Sequence, residues 1–223
     1  DAELERYRTL GAEVAPIVEK TARSVEPGMT EREVAAGMIE ALVSRGMRVL
    51  VFLVAADERI ETRRHPIVTD RKIEKRCMVV ACAERSGLIV PMTRLVNFEP
   101  MDDALKIKHR AVSQVDAAAN AATRPGVTLG DVFEQIVAEY DRQGFAEQWQ
   151  YHHQGGSTGY AGRDDFARPG SEAKVQANQA FAWNPSITGT KSEDTALVTD
   201  NGREWITRPG PEWPTLEVER DGL

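Results

Sequence analysis

Pro27-Gly28-Met29-Thr30 opens a run that closes at Arg45-Gly46-Met47, and Pro125-Gly126-Val127-Thr128 opens one that closes at Gln143-Gly144-Phe145. Each landmark of the second run lies 98 residues after its counterpart in the first, with no gap between them. Val34 falls on Val132 and Ile39 on Val137. Each copy makes sense as a helix. Thr30 and Thr128 are N-cap types; Glu33 completes a capping box, and Asp131 approximates one. Val34, Met38, Ile39 and Leu42 share a face at helical spacing, as do Val132, Ile136, Val137 and Tyr140. Gly46 and Gly144 then act as C-terminal stops. This is the signature of a duplicated unit.

Working outward, a further helical stretch precedes each copy, Leu4 to Ser24 in the first half and Asp102 to Thr123 in the second. Strand-like segments follow: Val49–Ala56, Cys77–Glu84, Gly87–Phe98, Ala180–Ser186 and Thr195–Thr199. Ser86-Gly87 is a hairpin turn between the second and third of these. Clustering of like elements predicts an α+β fold, an antiparallel sheet covered by helices on one side, in two pseudosymmetric halves. No linker divides the chain, so residues 1–223 are expected to form a single domain, with an irregular tail from Arg208.

Composition narrows the function. With 28 Lys+Arg against 35 Asp+Glu, the net charge of −7 argues against a nucleic-acid partner. The longest apolar run, Val49 to Ala56, fits a strand and not a membrane span. Two cysteines, Cys77 and Cys82, cannot build a disulfide framework, so a cytoplasmic location is expected. Polar residues gather in four stretches: 63–69 around His65, 92–94 with Thr93 and Arg94, 151–160 with His152, His153 and Tyr160, and 183–195 with Asn184 and Glu193. In the third, Gly155, Gly156 and Gly159 place two imidazoles beside backbone able to approach a ligand closely. That stretch is neither a phosphate loop nor an HExxH zinc motif.

Taken in order, PGMTE and PGVTL, HPIVT (65–69), GLIVPMTR (87–94), HHQGGSTGY (152–160), AFAWNPSI (180–187) and GTKSEDTALVTDNGREWIT (189–207) resemble the creatinase/aminopeptidase family, the M24 peptidases of pita-bread fold. The resemblance spans roughly Tyr7 to Thr207. It implies the pita-bread α+β architecture, with two helix-helix-strand halves around a curved antiparallel sheet. Peptidases of the family hold two divalent metals with two Asp, one His and two Glu. Matched by position, the Asp ligands fall on Val80 and Pro91, the His on His153 or alternatively His152, and the first Glu on Asn184. Only the last survives, as Glu193. Val80 and Pro91 have no ligating side chain and Asn184 brings no charge, so the expected cofactor is none and no residue is assigned to a metal. Proline at Pro91 also predicts an edge or a bulge in its strand. Creatinase, a metal-free relative, has its catalytic His at the position of His65, and its acids at the positions of Asn184 and Thr93.

The expectation is therefore a metal-independent M24-like hydrolase that cleaves an amide, amidine or peptide-like C–N bond of a small molecule or short peptide in the central cleft. His65 would carry the proton and Glu193 would orient or polarise. His152, His153, Tyr160, Asn184, Thr93 and Arg94 would bind substrate. The alternatives are an inactive ligand-binding protein on a peptidase scaffold and an Xaa-Pro-type metalloaminopeptidase with atypical ligands. The resemblance further implies a homodimer, and an N-terminal domain of some relatives that this chain lacks.

Overall fold

The computed structural model describes residues 2–200 and 202–218. The first half runs α1 (Ala2–Arg23), α2 (Glu31–Val43), β1 (Arg48–Ala56), a single turn α3 (Arg59–Thr62), β2 (Arg76–Arg85) and β3 (Leu88–Asn97). The second runs α4 (Asp103–Ala122), α5 (Leu129–Arg142), a 3-10 turn (Gln148–Tyr151), β4 (Gly155–Thr158), β5 (Asp165–Phe166), β6 (Ala180–Trp183), β7 (Ser186–Ile187), β8 (Thr190–Lys191), β9 (Asp194–Thr199) and β10 (Gly202–Trp205). All pairings are antiparallel, in the orders β1-β2-β3 and β10-β9-β6-β4-β5, with β7 and β8 as a separate pair. The pita-bread architecture read from the sequence is the observed one. The five strands not anticipated have two to four residues each, too few for an alternating pattern to register.

Local rules explain the repeat. Thr30 and Thr128 both cap their helices through complete capping boxes, so Asp131 does what the sequence only suggested. Its shorter side chain reaches less well: the Thr30 N–H donates to Glu33 at 2.7 Å, the Thr128 N–H to Asp131 at 3.4 Å. Each cap threonine also makes an isolated antiparallel bridge, Thr30 to Lys72 and Thr128 to Lys174. Ser86 and Gly87 both have positive φ, 56° and 86°, as the primed turn of a two-residue hairpin requires.

Strand alternation divides the first half into two faces. Cys77, Val79, Ala81 and Ala83 pack under α1 and α2 with Val14, Val18, Met38 and Leu42. Met78 and Val80 face the other way, with Leu53, Ala55, Ile60 and Leu95. A separate core joins α4 and α5 to β6 and β9 through Val112, Val115, Ile136, Tyr140, Phe181 and Trp183. Trp183 is fully buried and its indole N–H donates to Thr123.

The halves meet along β3. The Ile89 N–H donates to the Gly159 carbonyl and the Thr93 N–H to the Glu193 carbonyl. Between them Pro91, on the same side of the strand, has no N–H to give, and its carbonyl accepts from the Thr195 hydroxyl at 2.7 Å. The expected edge is found: β3 ends its sheet, and the missing donor faces the seam. Among the described residues, no helix is long and apolar enough to cross a membrane.

Candidate active site

The loop carrying His65 is tied to both halves. Glu31, the first residue of α2, is fully buried. Its carboxylate accepts from the Ala56 N–H, Arg59 Nε, the Thr69 N–H and the Thr69 hydroxyl, all within 2.7–2.9 Å. Arg59 also donates to the Ile67 carbonyl. Arg64, next to His65, reaches across to Gln148, Thr188 and Ser186 of the second half. His65 itself is exposed.

His152 and His153 follow the 3-10 turn and lead into β4. The glycines behind them serve the sheet rather than a ligand. A Cβ at Gly155 would lie 2.3 Å from the Ala182 carbonyl oxygen, and one at Gly156 only 1.9 Å from that of Asp165. Bare backbone lets β4 seat between β5 and β6, which sets His153 edge-on to Phe166 at 5.0 Å. The outcome is a cluster of three imidazoles. His152 lies 4.4 Å from His153 and 4.7 Å from His65 between ring centroids, and His65 lies 5.8 Å from His153. Nε2 of His65 and Nε2 of His152 are 3.2 Å apart.

Glu193 is buried beside them. Its Oε2 accepts from the Lys191 ammonium at 2.7 Å and the Thr93 hydroxyl at 2.6 Å, and its Oε1 from the Arg163 guanidinium at 3.0 Å. Burial alone would raise this carboxyl, but the two cations outweigh it and hold it at about 2. The imidazoles respond in the opposite sense. Burial and the Lys191 charge push His152 down to about 2, and burial with the Arg163 charge pushes His153 down to about 4. Burial and Lys191 lower His65 as well, against the pull of Glu193. His152 and His153 are unprotonated at neutral pH, and His65 is shifted toward its neutral form.

The fold thus brings together His65, His152, His153, Thr93 and Glu193. Asn184 is buried at the end of β6, its N–H on the Gln154 carbonyl and its Oδ1 without a partner among the described residues. Two residues expected to bind substrate are engaged elsewhere. The Tyr160 hydroxyl donates to Glu3 on α1, with its ring against Gly87 at the hairpin turn. Arg94 points to the helical side, ion-paired with Glu19 and Asp194, because it alternates with Thr93 along β3. A cavity of about 810 Å³ on that side is lined by Asp116, Asn120, Trp205 and Trp213; it reaches Thr93, Lys191 and Glu193 but none of the three clustered histidines. Sequence reasoning missed Lys191, Arg163, Arg64 and Glu31. Lys191 did carry a signal, since an i, i+2 pair in extended backbone shares a face with Glu193.

The paired-metal arrangement implied by the sequence resemblance does not fit these residues. Val80 sits in an apolar cluster, Pro91 offers only a carbonyl already bonded, and Glu193 is neutralised by two buried cations. The imidazoles are another matter: one nitrogen from each of His65, His152 and His153 lies within 4.8 Å of the others, a set that could hold an ion.

Comparison with known proteins bears on both points. The model of metallopeptidase family M24 matches residues 5–200. A probable dipeptidase PepE of Mycobacterium bovis is 24% identical over 213 residues, covering 91% of this chain and 56% of its own length. The chain therefore spans little more than half of that relative. Among solved structures, dipeptidase PepE from Mycobacterium ulcerans superposes with a TM-score of 0.84 at 25% identity, covering 94% of this chain and 58% of that one. Prolidase from Pyrococcus furiosus gives 0.86 at 19% identity, with coverages of 94% and 65%. The expectation of no metal cofactor is overturned here: the matching family is one of metallopeptidases, and His65, which the motif matching did not count among the metal ligands, joins His152 and His153 in a set that could hold an ion. From the fold, the ordered motifs and the match over residues 5–200, the chain belongs to metallopeptidase family M24.

Proposed function

We propose that the protein is an M24-type hydrolase that cleaves an amide, amidine or peptide-like C–N bond of a small molecule or short peptide at the imidazole cluster. The observation that carries this reading is the cluster itself: three imidazoles beside a carboxylate kept ionised by two buried cations. His65, exposed at the mouth, presents a lone pair that activates the attacking water. Lys191 and Arg163 supply positive charge where the carbonyl oxygen becomes negative. Glu193, fixed by Thr93, holds those cations in place and prevents their mutual repulsion from opening the site. Arg163 Nε and Asn184 Oδ1 are buried without partners among the described residues, a spare donor and a spare acceptor that match the C=O and N–H of an amide. A metal ion held by the three imidazoles would take up the His65 lone pair and would itself polarise the scissile carbonyl and acidify the attacking water.

The name of the relative, a probable dipeptidase, supports dipeptides as the first substrates to test. A panel of dipeptides, simple amides and amidines is expected to reveal turnover that His65→Ala reduces by about 10²–10⁴-fold in kcat/KM. Unchanged turnover in His65→Ala would remove His65 from the reaction, and ligand binding without any conversion would return the chain to a binding scaffold.

A further inference from the structure

We infer that the cavity on the helical side of the seam binds a free α-amino acid with a large apolar side chain, its ammonium on Asp116 and its carboxylate on Arg203. The inference does not depend on the hydrolase reading, and none of the three clustered histidines lines this cavity. At about 810 Å³ it has the size of a small-molecule pocket.

The duplication gives the first argument. On α4, Leu105, His109, Ser113, Asp116 and Asn120 recur at helical spacing and line the cavity. The offset of 98 residues places His109, Ser113, Asp116 and Asn120 on Gly11, Ala15, Val18 and Ala22 of α1. There the stripe is buried, and a Cβ at Gly11 would lie 2.4 Å from the Ile206 carbonyl oxygen. The second copy carries instead an imidazole, a hydroxyl, a carboxyl and an amide, and opens a cavity where the first copy is closed. A few convergent polar groups in an otherwise apolar hollow are what a small-molecule site requires.

The charges define the ligand. Of the charged residues on the cavity wall, Arg23 pairs with Glu212, Arg76 with Glu61, Arg94 with Glu19 and Asp194, and Lys191 with Glu193. Asp116 and Arg203 are the two that form no ion pair among the described residues. The Asp116 carboxyl meets neutral donors, Ser192 Oγ at 2.6 Å and Asn120 Nδ2 at 2.8 Å. Burial pushes it up to about 7, against the Ser192 hydrogen bond and the weaker pull of Arg203, the response of an acid with no cation in contact. One unpaired acid on α4 and one unpaired guanidinium on β10 match the two ends of a zwitterion. Leu105, Met101, Trp205 and Leu216 supply apolar and aromatic wall for its side chain. Trp213 completes that wall from the C-terminal segment, stacked by the guanidiniums of Arg23 and Arg94 at 5.7 and 5.6 Å.

The test is calorimetric titration of the full chain with L-leucine, L-phenylalanine and L-tryptophan. Binding of at least one, at one molecule per chain, is expected. Phenethylamine, which lacks the carboxylate, and 3-phenylpropionate, which lacks the ammonium, should each bind at least about tenfold more weakly than L-phenylalanine. Asp116→Asn and Arg203→Gln should each weaken amino-acid binding by a similar factor. Arg203 is exposed, so its variant separates lost binding from lost folding. An amino acid could also occupy the imidazole cluster as a reaction product, and His65→Ala distinguishes the two: it should leave this binding unchanged. No binding of any of the three amino acids, equal binding of the analogues that lack one charge, or binding lost in His65→Ala but kept in Arg203→Gln would each overturn the inference. None of these outcomes bears on turnover, so the hydrolase reading stands or falls separately.

Discussion

The two halves share a backbone plan and almost nothing of its chemistry. Both contain a threonine-capped helix and both bridge that threonine to a lysine downstream. Yet the cleft face of the first sheet is closed by Leu53, Ala55, Met78, Val80 and Leu95, whereas the second presents His153, Asn184, Lys191 and Glu193. Among the described residues, the first half lends Thr93 and, on a loop outside the sheet, His65. Where the repeat places Leu129 in the second half, the first has Glu31, whose four hydrogen bonds organise that loop. A duplicated fold can therefore keep its symmetry in caps and packing while one copy becomes support and the other holds charge. Caps and cores answer to local geometry, but a buried charge needs partners that only one copy supplies.

The strongest way to break this comparison is to remove the charge from the second half. Glu193→Gln leaves Lys191 and Arg163 buried without a counter-ion, and is expected to cost about 3–5 kcal/mol in chemical denaturation at pH 7. Replacing Lys191 by Met in the same chain should recover part of the loss. The pH dependence has a definite sign. A carboxyl held at about 2 when folded stabilises fully above its unfolded value near 4.5, and that contribution is lost as pH falls from there to about 2. The gap between wild type and variant should narrow over that window; a constant gap would mean that the carboxylate does not hold the cations.

A smaller effect tests the support role of the first half. Glu31→Gln should destabilise by roughly 1–3 kcal/mol, because an amide cannot accept from all four donors. Hydrogen exchange at the Thr69 and Ala56 amides should accelerate with it. Unaltered protection at Thr69 would show that the His65 loop is held without Glu31. The smallest effect concerns what the halves share. Glu33→Ala should cost more than Asp131→Ala, by about 0.5 kcal/mol, since the Thr30 box closes at 2.7 Å and the Thr128 box at 3.4 Å. Equal shifts in Tm would make the two caps equivalent despite their geometry.

Much of the fold was legible because its determinants are short-range. Helix ends followed from Thr30, Thr128, Asp102, Gly46 and Gly144, and the hairpin from Ser86-Gly87, each read within a few residues. The strands that escaped notice, β7 and β8 above all, have two residues and owe their existence to pairing. The candidate site was legible as a set of residue types, but not as a geometry. Tyr160 and Arg94 stood in polar stretches and turned away from the cluster, one to Glu3 and the other to Glu19 and Asp194.

By itself, the sequence determined the duplicated helical units, the hairpin, the α+β order and the family, since capping, periodicity and glycine conformation act over single turns of chain. Tertiary structure alone decided that His65 meets His152 across 87 residues, that Thr93 meets Glu193 across 100, and that Lys191 and Arg163 neutralise the one carboxylate that the motif comparison retained. Those contacts depend on strand register and on which face of a sheet each side chain takes. A shift of one residue reverses the face, and no local pattern records the partner on the other side.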